Sequence, residues 1–123
     1  MKRKLIGAAL ALLMSGGAAF AETRGNRPTE KQMNSFAATM LAVFAGSRDH
    51  CPRFQLMGEA KNAELTAAGI TPEMRDEMLR TVGQIIFLEY SDKYDKDPSA
   101  FCNDAWETLG PNGTYKRQML EAK

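Results

Sequence analysis

The sequence predicts an all-α fold, a small irregular bundle of four to five helices closed by one disulfide. Three observations lead there. Apolar residues recur at three- and four-residue steps through most of the chain. Proline and glycine fall between those runs and not within them. The two cysteines, Cys51 and Cys102, belong to a chain that opens like an exported protein.

That opening is "MKRKLIGAALALLMSGGAAFA". Lys2, Arg3 and Lys4 precede an apolar run from Leu5 to Met14, and small residues lead to Ala19-Phe20-Ala21. A charged start, a short apolar stretch and an A-x-A ending predict a signal peptide over residues 1–21, cut after Ala21. The run breaks at Ser15-Gly16-Gly17, short of the ~20 apolar residues a spanning helix needs. The expected product is periplasmic, without a membrane anchor. Of 16 basic residues the leader takes three, leaving 13 against 15 acidic ones, a net charge near −2. No basic stripe remains to bind nucleic acid.

Residues 22–28, "ETRGNRP", read as a loose polar tail, and 29–123 as a single helical domain. Thr29 to Gln32 fit a capping box. Met33, Phe36, Ala37, Met40, Val43 and Phe44 follow on one apolar face, and Gly46 is the expected stop. A second helix is expected from Leu56 to Ala68, ended in Schellman fashion by Gly69-Ile70. Thr71-Pro72-Glu73 then opens a third as N-cap, first-turn proline and acid. Its stripe is Met74, Met78, Val82, Ile85, Ile86 and Leu88, reaching Tyr90 as one long helix. Asp97-Pro98 opens a fourth with Phe101, Cys102, Ala105, Trp106 and Leu109 inward, stopped at Gly110-Pro111. "NGTYKRQMLEAK" begins as a turn and closes as a short fifth helix carrying Met119 and Leu120. No run reads as a strand.

The stretch "SRDHCPRF" sets the one histidine, His50, directly before Cys51. Adjacency in sequence does not give the geometry of a thiol with its base. A Cys51–Cys102 disulfide is the expected state, with His50 an exposed loop residue. Closing a loop of about 50 residues stabilises by roughly 4 kcal/mol in the chain-entropy account.

No catalytic constellation assembles, and the chain reads as a non-enzyme. Asp92, Asp95 and Asp97 lie among lysines on a charged segment, without the spacing of a calcium loop. No second histidine exists to build a zinc site. No cofactor fingerprint is present, so neither a metal nor a cofactor is expected. Met33, Met40, Met57, Met74, Met78 and Met119 lie mostly on apolar stripes and read as core filling; an exposed cluster of them would instead make an adaptable face. The binding candidate is "GPNGTYKR", a Pro/Asn/Gly turn presenting Asn112, Thr114, Tyr115, Lys116 and Arg117, tyrosine beside cations being a common interface composition.

Four stretches carry a resemblance: "CPRF", "AAGITPE", "DPSAFCNDAW" and "LGPNGTY". Over residues 51–115 the chain resembles a family of small periplasmic proteins of Gram-negative bacteria, with a Cys-Pro turn, a late Phe-Cys-x-x-Ala-Trp helix and a following Gly-Pro. Some of its members are described as inhibitors of peptidoglycan hydrolases, including c-type lysozyme. The resemblance implies a protein-binding role with a cell-wall hydrolase as partner. Such enzymes hold two carboxyl groups in an open cleft, which the donors of residues 112–117 could meet. Asp92, Asp95 and Asp97 could face a cationic rim. Two other classes stay open, an acid- or stress-activated periplasmic chaperone and an accessory subunit of an envelope complex.

Overall fold

The computed structural model describes residues 27–123; the expected leader, its cleavage point and residues 22–26 lie outside them. Five helices and two short strands follow in order: α1 Glu30–Ala45, β1 Phe54–Leu56, α2 Gly58–Ala67, α3 Pro72–Arg80, α4 Val82–Lys96, α5 Pro98–Leu109 and β2 Leu120–Ala122. The fold is all-α in class, as the periodicity predicts. No helix among the described residues is long and apolar enough to cross a membrane.

The first helix is the centre of the molecule. Its capping box is complete: Thr29 Oγ1 accepts from the Gln32 N–H at 3.0 Å, and the Thr29 N–H donates to Gln32 Oε1 at 2.9 Å. Pro28, expected in the tail, is buried just ahead of it. From Ser35 onward α1 is buried almost all round, because α2, α4, α5 and β1 each pack against it. Ala37, Ala38, Ala42 and Ala45 let those neighbours approach closely. The one-face reading therefore underestimates this helix, and it misplaces Val43, which is 43% exposed.

Gly46 ends α1 where β1 crosses it. A Cβ there would stand 2.8 Å from the Ala42 carbonyl oxygen and 2.8 Å from Leu56 Cβ, so only glycine fits. β1 pairs antiparallel with β2 in the register Phe54↔Ala122, Gln55↔Glu121, Leu56↔Leu120. This corrects two expectations: α2 begins at Gly58 and not at Leu56, and the last segment is a strand, not a fifth short helix. A few residues after a turn cannot repay the cost of helix nucleation. Strand pairing instead satisfies the backbone of both segments, and the Met57 N–H extends it by donating to Met119 O at 2.9 Å. Met119 and Leu120 are fully buried by this closure.

α2 ends as expected. Gly69 has φ 78°, the Ile70 N–H reaches Leu65 O at 3.0 Å and the Gly69 N–H reaches Thr66 O at 3.0 Å, a full Schellman pair. Thr71 caps α3 through Met74 N–H at 3.2 Å. The long third helix does not run through. Thr81 breaks it at φ −110°, ψ −91°, its hydroxyl donating to Glu77 O at 2.8 Å. A β-branched residue bonded back onto the preceding turn favours such a bend. The buried positions nevertheless keep a four-residue step across the break, from Met78 to Val82, Ile86 and Tyr90. Val82, Gly83, Ile86 and Tyr90 turn inward, whereas Ile85 and Leu88, expected in the stripe, are 40% and 67% exposed.

α5 is capped by Asp97, whose Oδ1 accepts from the Ala100 N–H at 3.1 Å. It buries Phe101, Cys102, Ala105, Thr108 and Leu109. The Cys51–Cys102 disulfide is formed, with the Cα atoms 5.7 Å apart. It fastens the turn after α1 to α5 and encloses α2, α3 and α4 in the covalent loop. An aromatic cluster centred on Phe44 lines this junction, with Phe101 at 5.3 Å and Phe87 at 5.4 Å between ring centroids. His50 is not an exposed loop residue. Its ring stacks on Phe44 at 4.0 Å, its Nδ1 lies 3.1 Å from Phe44 O, and its carbonyl accepts from the Tyr94 hydroxyl at 3.1 Å. Met33, Met78 and Met119 are buried, and Met40 and Met74 pack against the core.

Candidate functional site

The segment between α5 and β2 is folded back flat along the end of α5, and glycines make that possible. A Cβ on Gly113 would fall 2.3 Å from the Thr108 carbonyl oxygen, and one on Gly110 2.6 Å from the Trp106 carbonyl oxygen. Backbone bonds then pin the segment: Gly113 N–H to Gly110 O at 3.0 Å, Thr114 N–H to Glu107 O at 3.1 Å, Tyr115 N–H to Thr108 O at 3.0 Å and Met119 N–H to Leu109 O at 2.9 Å. They also satisfy carbonyls that a helix end leaves open.

Below the segment sits a carboxylate, Glu64 of α2, fully buried. Four side chains converge on it. The Ser35 hydroxyl of α1 donates to its carboxylate. The Tyr115 hydroxyl donates to Oε2 at 2.6 Å, Arg117 Nε donates to Oε1 at 3.0 Å, and Lys116 Nζ stands 3.5 Å from Oε2. Burial pushes the Glu64 pKa up, but the hydrogen bonds from Ser35, Tyr115 and Arg117 and the Lys116 charge outweigh it. The carboxyl is held below its ordinary range. Tyr115 moves the other way: burial, then its bond to Glu64, raises its phenol well above the usual value. The cluster joins α1, α2 and the returning segment through one ion. Ser35 beside a carboxylate has the composition of a nucleophile and base, yet Ser35 and Glu64 are both buried. The arrangement fastens.

The five residues expected to bind are thus divided. Tyr115 and Arg117 point into the molecule and hold Glu64. Lys116 reaches Glu64 while its side chain stays 55% exposed, its ammonium 5.9 Å from the centre of the Tyr115 ring. Asn112 and Thr114 are exposed and line a cleft of about 320 Å³ together with Trp106, Glu107 and Pro111. The Phe54 ring stacks on the Trp106 indole at 5.1 Å and 20°. Asp92 pairs with Lys96 at 3.2 Å and Asp97 serves as a cap, so these acids are engaged locally. No group of three His, Cys, Asp or Glu among the described residues could hold a metal ion.

Sequence reasoning missed Glu64 and Ser35. The one available signal was the place of Glu64 on the same α2 stripe as Ala60 and Ala68, four residues to either side. Its partners come from 29 and 51 residues away. Compared with known proteins, the chain matches no family model, no curated sequence and no solved structure.

Proposed function

We propose that the protein works by contact and not by catalysis, as an exported binding module whose working surface is the loop at residues 110–117. The partner we assign is a peptidoglycan hydrolase of the c-type lysozyme kind, with the loop occluding its carboxylate-lined cleft. One observation carries the reading: Glu64, Tyr115 and the backbone bonds to α5 fix the loop from within, while Asn112, Thr114 and Lys116 remain exposed outside. A loop already ordered before binding loses little entropy on docking. Amide, hydroxyl and ammonium donors are the groups that a pair of acidic catalytic residues accepts. The disulfide is compatible with an oxidising compartment such as the periplasm. The test is the rate of muramidase turnover with the disulfide-closed protein in micromolar excess. Slowing that is lost in a Thr114→Ala, Lys116→Ala double variant supports the reading; an unchanged rate ends it.

A second reading, an acid-activated chaperone, is favoured by the buried Glu64. Its protonation would release Arg117 and Lys116 and loosen the core closed by Met119 and Leu120. The exposed acids Asp92, Asp95 and Asp97 would not do this. Suppression of client aggregation at about pH 3 decides it.

A further inference from the structure

We propose that the cleft between the 110–114 loop and the last turn of α5 is a saccharide-binding site. This goes beyond the contact reading and does not depend on it. The cleft is built and not incidental. Gly113 is pressed on the Thr108–Leu109 backbone and Gly110 on Trp106, so the loop cannot carry side chains there and cannot collapse inward. Phe54 stacks on the indole. At about 320 Å³ the volume lies at the small end of ligand sites, enough for one or two sugar rings.

The chemistry of the lining selects the ligand. Trp106 and Pro111 give apolar surface suited to the C–H face of a pyranose. Asn112 supplies both a donor and an acceptor, and the Thr114 hydroxyl does the same. Among the described residues, the side-chain groups of Asn112 and Thr114 and the indole N–H make no hydrogen bond within the protein. They are therefore open to a ligand. A cation would find donors on most of the wall, with Lys116 next along the chain. A neutral polyhydroxyl ligand uses donors and acceptors together, and its ring matches the apolar portion.

Trp106 is the one tryptophan of the chain, so its emission reports this cleft without interference. The disulfide-closed protein is titrated with tri-N-acetylchitotriose and separately with maltotriose, by tryptophan emission and by calorimetry. The expected result is a saturable emission change with at least one sugar, at a dissociation constant below about 10 mM. Asn112→Ala and Thr114→Ala should each weaken it about fivefold, one neutral hydrogen bond being lost, with the melting temperature unchanged. No saturable signal with either sugar overturns the proposal. So does binding that neither substitution weakens, which would place the sugar elsewhere. Sugar binding without lysozyme inhibition would remove the hydrolase reading and leave this one standing; the reverse pair of results would do the opposite.

Discussion

The Tyr115 hydroxyl donates to Oε2 of Glu64 across 2.6 Å, joining residues 51 positions apart. Through this bond a loop at the surface is tied to the middle of α2, and Ser35 carries the tie on to α1.

Removing the ion should cost more than any exposed pair does. Glu64→Ala leaves Tyr115 and Ser35 without their acceptor and two cations without their counter-charge. A broken buried pair costs about 3–5 kcal/mol, and the partial exposure of Lys116 and Arg117 brings the expectation to about 3 kcal/mol. Urea midpoints at neutral pH measure it. A loss below about 1 kcal/mol would mean that the cluster is energetically idle.

Acid should act through the same group. The folded-state pKa of Glu64 is depressed, so its contribution is fully present above the unfolded carboxyl value of about 4.3 and is lost as pH falls through the folded value. Stability measured from pH 6 down to pH 2 should fall, and Glu64→Gln should flatten that limb while lowering the plateau. An equally steep limb in the variant would assign acid sensitivity to other carboxylates.

At the alkaline end the sign reverses. Burial raises the phenols of Tyr90 and Tyr115, with Glu89 adding to the first and Glu64 to the second. Raised folded-state values give stability that is complete below the unfolded tyrosine value of about 10 and lost above it. Denaturation midpoints at about pH 9 and pH 11 should therefore differ, with the drop reduced in Tyr115→Phe. A drop of equal size there would assign the alkaline limb to groups other than Tyr115.

The facing of α4 predicts opposite outcomes for two of its residues. Ile86→Ala opens a cavity at a fully buried position and should cost about 2–4 kcal/mol. Leu88→Ala, at a position 67% exposed, should stay within about 0.5 kcal/mol. Thermal or urea unfolding of both variants checks the pair. Comparable losses would contradict the inward Ile86 and the outward Leu88 of α4.

Reduction of Cys51–Cys102 should lower stability by roughly 4 kcal/mol, the loop-closure value for 51 residues. The readout is a melting curve with and without reductant, compared with Cys51→Ser, Cys102→Ser. An unaltered melt would show that the packing around Phe44 already does what the bridge does.

What the sequence disclosed, and what it withheld, divides by range. Thr29, Thr71, Asp97 and the Gly69-Ile70 ending act within four or five residues of themselves, so each was legible. So was the disulfide, from residue type and number. Helical faces were legible where a helix has one covered side, as in α5, and not in α1, where neighbours from all along the chain surround it. Thr81 misled because the apolar period continues through it. The Glu64 cluster and the β1–β2 pair depend on partners more than 25 residues away, which no local pattern encodes.

The place of α1 bears on how the chain reaches its native state. The helix at the heart of the bundle comes before all its partners in the described sequence, and the sheet joins Leu56 to Leu120. Contacts of such separation raise the contact order towards that of mixed α/β domains, for which loop closure precedes most of the stabilising gain. An early α1 would wait with much of its circumference bare until α5 arrives, and refolding should be slower than the helix content alone suggests.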